Sequence, residues 1–404
     1  MSDREYKEIL PGGGLSVFMV CDIPGGAYFH YCSQLCNALV EQAGIAGVRL
    51  TAVFGGSSRA GILPEEKELL HPKVEAGIII RGPGSKIRRY LGFLLSFFGL
   101  KKRIRRSATC IHVHTTTGLE SLDLLLLFLF WWTGLPVIRT VHEVTAAERS
   151  RPPTGFQRWM GRLHLKMADA IIVHDERTRE LLQGFNGMQG ARITVIPHGN
   201  YLVFSRLGKP EGKVPRPNPI PVVLFFGIKR NKGIEVFFRA LRELQDEGYP
   251  VRSLIAGRIT PGDEDLFDSI GGLKNVEVKP GYIPDRDLWR VYDACDMVAF
   301  PYLRGTTSGA IHLAYAFKRP VIVSDLECFR DIVIHGKTGL VVPRGDSGGL
   351  ADAIRQMCQD PDARTRMGEE GYRLACSDRY GWDSIARRTV GVYRDAFVGK
   401  RSRT

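Results

Sequence analysis

The chain has 404 residues, 44% of them hydrophobic, a mean hydropathy of -0.09 and a formal net charge of +13. That length carries two domains with a core each, and that balance excludes a mainly disordered chain and points to anionic partners: phosphorylated substrates, acidic lipids or nucleic acid. The eight cysteines are scattered, Cys32 and Cys36 being the closest two, without paired metal spacing; with no secretory signal at the start, free thiols in a reducing cytoplasm are expected.

In chain order, apolar runs predict strands at 16–21, 49–54, 109–114, 137–142, 170–174 and 193–196, then at 222–226, 251–256, 276–279, 297–300, 321–323 and 339–342. Helical patterns alternate with them, which is the signature of parallel sheets covered by helices. The break falls at 207–221, where Gly208, Pro210, Gly212, Pro215, Pro217, Pro219 and Pro221 are incompatible with a helix or a central strand. The expected architecture is a domain over 1–207, a proline-rich linker over 208–221, a second domain over 222–380 and a final helix over 381–404 free to return to the first domain.

Two segments of the first domain stand apart. From Ala76 to Leu119 there is no acidic residue, and Arg81, Lys86, Arg88, Arg89, Lys101, Lys102, Arg103, Arg105 and Arg106 bracket a helical apolar face of Ile87, Tyr90, Leu91, Leu94, Leu95 and Phe98. Such a face suits peripheral binding to an anionic membrane surface. The nine apolar residues 124–132 are too few to span a bilayer and predict a buried helix, with Trp131 and Trp132 at its exposed end.

The motifs follow the same order. Gly25 and Gly26 lie between the first strand and a helix, where a backbone approaches phosphate closely. His142 closes a strand at the carboxyl edge of the first sheet, the edge where open parallel sheets bind ligands; His174, His198 and the pair His112/His114 occupy comparable places and are as readily structural. The segment 225–233 reads as strand, glycine turn at Gly227 and helix start, with Arg230 and Lys232 beside free helix N–H groups, an arrangement suited to a diphosphate. In 301–310, Thr306, Thr307, Ser308, Gly309 and Ala310 open another helix, as a second anion site or as an ordinary cap.

Together with Pro197-His198-Gly199-Asn200, Gly281-Tyr282-Ile283-Pro284, Phe300-Pro301-Tyr302 and Gly336-Lys337-Thr338-Gly339-Leu340, these motifs in this order resemble the retaining, nucleotide-sugar-dependent glycosyltransferases of GT-B fold. The resemblance covers nearly the whole chain and is strongest over 221–354. It implies an α/β protein of two doubly wound, Rossmann-like domains facing across a cleft. It further implies a donor bound mainly by the second domain: Arg230 and Lys232 on the diphosphate, Tyr282 and Ile283 near the nucleobase, and Thr307, Ser308, Gly309 and Ala310 on phosphate. His142 would touch the donor sugar, Gly25 and Gly26 would close over the phosphates, and Asp331 stands where such proteins often carry a glutamate. Many members also carry two glutamates eight positions apart; here those positions are Gly305 and Leu313, neither able to accept a hydrogen bond through its side chain.

The implied reaction moves a hexose from a nucleotide diphosphate sugar to a hydroxyl of a glycan or polyprenyl-linked acceptor, in cell-surface polysaccharide synthesis on the inner face of the cell membrane. No cofactor is expected, and no metal, because cations and helix termini would stabilise the leaving diphosphate. Closure about the linker would exclude water. The alternatives are a nucleotide-sugar epimerase or a phosphorylase on the same fold and, ranked below them, a basic nucleic-acid-binding protein; no nucleic-acid motif supports the last.

Overall fold

The computed structural model describes residues 15–21, 26–42, 47–54, 68–80, 101–102, 104–106, 108–114, 130–142, 163, 165–184, 188, 190–210, 218–259, 262–263, 265–266, 270–305 and 309–402, and the structural statements below concern these. In chain order the elements are β1 (Ser16–Cys21), α1 (Gly26–Gln42), β2 (Gly47–Phe54), β3 (Val74–Ile80), β4 (Cys110–Val113), β5 (Val137–Thr140), β6 (Ala170–Val173), α2 (Glu176–Gln183) and β7 (Ile193–Val195). They continue with β8 (Val222–Ile228), α3 (Ile234–Asp246), β9 (Arg252–Ile259), β10 (Val276–Pro280), α4 (Leu288–Asp293), β11 (Met297–Phe300), α5 (Gly309–Ala316), β12 (Val321–Ser324) and α6 (Glu327–Arg330). The last are β13 (Gly339–Val342), α7 (Ser347–Gln359), α8 (Pro361–Ala375) and α9 (Trp382–Arg401). Two compact units result, Met1–His198 with Trp382–Thr404, and Gly199–Gly381.

The first unit holds a seven-stranded parallel sheet in the order β3-β2-β1-β4-β5-β6-β7. Strands β4 (CIHV) and β6 (AIIV) are buried at every position, as expected of parallel strands covered on both faces. Strand order reverses between β1 and β4, which makes their carboxyl ends the ligand-binding position of such a sheet. One strand, β3, escapes the sequence pattern. Its residues Ala76–Ile80 open the acid-free stretch, so that stretch begins inside the sheet and is not one surface helix. The apolar face at residues 87–98 lies outside the described residues.

The last helix belongs to this unit. Tyr393 is fully buried and its hydroxyl meets His112 Nδ1 at 2.7 Å; Lys400 Nζ donates to both Asp169 oxygens at 2.9 and 3.1 Å; and Arg192 donates to the Asp395 carbonyl at 2.9 Å.

The second unit has a six-stranded parallel sheet, β10-β9-β8-β11-β12-β13, reversing between β8 and β11. Edge strand β10 carries Glu277 and Lys279, exposed charges that blunt a free edge. The α3 face of Val236, Phe237, Ala240, Leu241 and Leu244 packs with Phe225, Ile255 and the α7 residues Leu350 and Ile354 into one core.

The unit boundary falls at His198/Gly199, ahead of the proline-rich stretch. Residues after it are tied to the second unit: Asn200 Nδ2 donates to the carbonyls of Ala375 and Tyr380 at 3.0 and 3.1 Å, and Lys209 pairs with Asp293 at 2.8 Å. Asn200 thus joins the entering and leaving segments of that unit. Residues 211–217 lie outside the described residues.

Candidate functional site

At the carboxyl edge of the second sheet, the chain leaves β8 through Gly227 and turns through Arg230–Lys232 into α3. Gly227 (φ 83°) and Gly233 (φ 77°) both sit in the left-handed region; a Cβ on Gly233 would strike the Pro301 carbonyl, and one on Gly227 would push the Lys232 ammonium aside. The turn is therefore pressed against the segment after β11. Leu303 and Arg304 donate to the Asn231 carbonyl at 2.9 and 3.3 Å, and Ser324 at the end of β12 donates to the Tyr302 carbonyl at 2.7 Å. Three strand ends are locked together around the switch point.

The two cations of this turn differ. Lys232 is half-buried; its Nζ donates to the Phe226 carbonyl at 3.4 Å and stands 5.4 Å from the centre of the Tyr302 ring, with no carboxylate partner among the described residues. Arg230 is held by three carboxylates. Its guanidinium pairs with Glu235, with both oxygens of Asp265 at 2.9 Å and with Asp263 at 3.6 Å, and its backbone N–H donates to Asp263 at 3.1 Å. The sequence pattern points Arg230 at phosphate, whereas in the fold Asp263 and Asp265 also hold it. Their spacing in Asp263-Glu264-Asp265 was the available signal.

The remaining residues of this edge fall as follows. Tyr282, after β10, is exposed and carries the Arg258 guanidinium 4.6 Å over its ring, a stacking platform of the kind a flat base can extend. Ile283 is half-buried beside it. Gly309 and Ala310 open α5; Thr307 and Ser308, like Gly25 in the first unit, lie outside the described residues. Gly26 is the first residue of α1. Asp331 is exposed after α6, its carbonyl accepting from the Tyr380 hydroxyl at 2.9 Å. Leu313 is buried in α5, so no acidic side chain reaches out from that position.

At the carboxyl edge of the first sheet, strand ends predicted one by one turn out to converge. His114 follows β4, His142 follows β5, His174 follows β6 and His198 follows β7. Tyr31, buried on α1, has its ring 5.0–5.1 Å from all four, and Trp382 at the head of α9 closes on Tyr31 at 5.2 Å. His174 Nδ1 lies 2.9 Å from the Ile196 carbonyl, His174 Nε2 lies 2.9 Å from His142 Nδ1, and His142 Nε2 lies 3.5 Å from His114 Nδ1. One layer deeper, His112 bridges the hydroxyls of Tyr393 and Thr140 at 2.7 and 2.8 Å. Burial pushes His112, His114, His142 and His174 below the ordinary histidine value, His112 to about 3, and His114 and His142 are lowered further by their histidine neighbours. His114, His142 and His174 thus present neutral imidazoles at this edge. Tyr31 and Trp382 carried no sequence signal, since an aromatic on a helix is ordinarily core.

A sequence model described as "Glycosyltransferase Family 4" matches residues 30–200, and one described as "Glycosyl transferases group 1" matches residues 220–360. The chain is 24% identical over 323 residues to an alpha-D-kanosaminyltransferase of Streptomyces kanamyceticus, covering 75% of this chain and 82% of that one. It is 29% identical over 265 residues to a phosphatidyl-myo-inositol mannosyltransferase of Mycobacterium leprae, covering 64% and 67%. Among solved structures, a sucrose-phosphate synthase of Thermosynechococcus elongatus has the same fold with a TM-score of 0.73 at 19% identity, covering 95% and 100% of the two chains. HepE of Anabaena, crystallised with UDP and glucose, follows at 0.69 and 16%, covering 94% and 99%. With the two parallel sheets and the glycine-turned cation site, these matches place the chain among the nucleotide-sugar glycosyltransferases of GT-B type, enzymes of class EC 2.4.

Proposed function

We propose that the protein moves a hexose from a nucleotide diphosphate sugar to a hydroxyl of a glycan or lipid-linked acceptor, with retention at the anomeric carbon. The observation that carries the donor side is Lys232. It is an ammonium without a carboxylate partner among the described residues, beside the Gly227 turn and the first amides of α3, at the strand-order reversal. Breaking the sugar–phosphate bond builds negative charge on the departing diphosphate, and a cation and helix amides already in place stabilise it without reorganising. Arg230 joins them, with Glu235, Asp263 and Asp265 holding it in the turn. Tyr282 with Arg258 and Ile283 receives the base; Gly25, Gly26, Thr307, Ser308, Gly309 and Ala310 surround the phosphates; Asp331 and His142 address the sugar. The first unit holds the acceptor. The proposed domain scheme is 1–207 and 222–380 with the 208–221 linker, modified by the boundary at His198/Gly199. A relative named for mannosyl transfer to a phosphatidyl-inositol and others named for D-inositol 3-phosphate favour a polyhydroxylated acceptor. The test is incubation with a panel of nucleotide sugars, with and without lipid-linked acceptors, reading released nucleotide diphosphate and the anomeric proton of the product. No release from any donor, or an inverted product, rejects the proposal.

A second reading, peripheral attachment to the inner face of the cell membrane, rests on one surface. Trp131 and Trp132 are each 49% exposed, Lys101 Nζ lies 3.3 Å over the Trp132 ring, and Lys102, Arg105 and Arg106 are exposed while Ile104 anchors the segment in the core. Exposed tryptophans beside basic residues match the two layers of an anionic bilayer surface, and no helix among the described residues is long and apolar enough to cross a membrane. This surface precedes β4 and β5, whereas the histidines follow them, so the two lie at opposite edges of one sheet. Four-residue strands at ~3.3 Å per residue separate those edges by at least ~13 Å. Such an attachment suits an acceptor whose reacting hydroxyl stands well clear of its lipid. Replacing Lys101, Lys102, Arg103, Arg105 and Arg106 by Gln should release the protein from anionic vesicles in flotation, as should high salt. Failure of the wild type to float at low salt removes the attachment.

A further inference from the structure

The hydrogen bonds among the histidines at the edge of the first sheet run in one direction. A backbone carbonyl only accepts, so His174 must carry its proton on Nδ1 to reach Ile196, and in the neutral ring Nε2 is then bare. His142 Nδ1, 2.9 Å away, must therefore donate to that bare nitrogen, which leaves the lone pair of His142 on Nε2. His114 faces that lone pair with Nδ1 at 3.5 Å; a proton there donates, whereas a second lone pair repels. The opposite nitrogen of His114, Nε2, is buried without a hydrogen-bond partner among the described residues, which costs less as an empty acceptor than as a stranded N–H. All three rings are thus set as Nδ1–H tautomers by one carbonyl.

We propose that His174 and His114 are positioning residues for glycosyl transfer: the carbonyl-to-histidine chain fixes His142 in the Nδ1–H tautomer and makes its Nε2 an acceptor for a hydroxyl of the substrate sugar. This rests on the reading of His142 as a sugar contact. The loose 3.5 Å approach of His114 is the bond a sugar hydroxyl would replace or share, and His142 is half-buried where His112, His114 and His174 are buried. A ring held neutral by burial accepts a hydrogen bond without taking the proton, so His142 orients the sugar and is not a base. The selectivity follows from the lone pair. A hydroxyl-bearing neutral sugar is accepted, and a sugar presenting a carboxylate at that position meets repulsion.

The experiment is nitrogen NMR of full-length protein with ring-15N histidine, combined with kinetics of His174 variants. In the wild type, His142, His174 and His114 are expected to show a protonated Nδ1 and a bare Nε2. His174→Phe keeps a ring but removes the acceptor; it should shift His142 towards the Nε2–H tautomer and lower kcat about ten-fold with nucleotide diphosphate affinity unchanged. His174→Gln, which restores an acceptor at the same reach, should recover most of both. A wild-type His142 carrying its proton on Nε2 overturns the proposal whatever the variants do, as does a His174→Phe enzyme with a shifted tautomer and unchanged kcat. If the tautomers are as expected but His142→Ala turns over normally, the sugar-contact reading falls and the positioning role with it, while the chain of tautomers stands.

Discussion

The two sheets share one construction and differ in what they present at the same edge. Each is parallel, reverses its strand order once, and gathers side chains at the carboxyl ends beside the reversal. The second sheet presents cations over glycine turns, the first presents neutral histidines around a tyrosine. Backbone topology selects the place; side chains select the chemistry. Charge suits phosphate, which carries charge throughout the reaction, whereas neutral acceptors suit sugar hydroxyls that must be oriented without losing a proton.

The largest expected effect would sharpen the contrast on the cationic side. Arg230→Ala leaves Glu235, Asp263 and Asp265 facing the proposed phosphate position uncompensated, so kcat/KM for the donor should fall about a hundred-fold, roughly 2.7 kcal/mol. Lys232→Ala removes a cation without exposing a carboxylate and should cost about ten-fold or more. Adding Asp265→Asn to Arg230→Ala should recover part of the loss; solvent around these exposed groups keeps that recovery modest. Equal losses for both single variants with no recovery would show that Arg230 and Lys232 are alike after all.

Acid should separate the units next. A histidine whose folded value is depressed binds its proton first in the unfolded chain, so its contribution is complete above about pH 6.5 and is lost as pH falls towards the folded value. For His112, with a folded value of about 3, the loss is about 1.4 kcal/mol per pH unit between those limits, or about 2 kcal/mol from pH 6.5 to 5. Urea unfolding at pH 7 and pH 5 should show the decrease, and hydrogen exchange should locate it in β4 and β5. A pH-independent midpoint would mean that the histidines are not buried neutral.

On the sugar side, His142→Ala should lower turnover about ten-fold while calorimetry finds nearly unchanged affinity for the nucleotide diphosphate, which lacks the sugar. Equal losses in both would make the ring structural. The smallest expected effect is none: activity should survive EDTA, since in the proposed reaction Lys232, Arg230 and helix amides supply the stabilisation a divalent ion would give. Complete loss restored by magnesium would reassign the leaving-group chemistry.

Much of the fold was legible because parallel strands are short apolar runs with sharp ends: 16–21, 297–300 and 339–342 match β1, β11 and β13 residue for residue. Strand β3 was not, because Glu75, Ala76 and Gly77 interrupt its apolar run and its place is set by pairing with β2. The site divides the same way. Lys232 and Gly227 are neighbours in sequence and could be read there. The Arg230 carboxylates arrive from residues 263 and 265, and the histidine cluster is assembled from four strand ends, so only the folded sheet brings their chemistry together. The boundary at His198/Gly199 was hidden because prolines mark where a helix cannot run, not where one core ends and another begins.

The return of α9 to the first unit also orders events at the ribosome. His112 and Tyr393 are 281 residues apart, and at ~5–20 residues per second their pairing waits roughly 14–56 s after His112 is made. The second unit, one uninterrupted segment from Gly199 to Gly381, emerges and can fold within that interval. Through that time the α1 surface around Tyr31, Cys32 and Cys36 has no α9 to cover it. A nascent chain arrested before residue 382 should therefore expose those thiols to alkylation and hold a chaperone, and the finished chain should do neither.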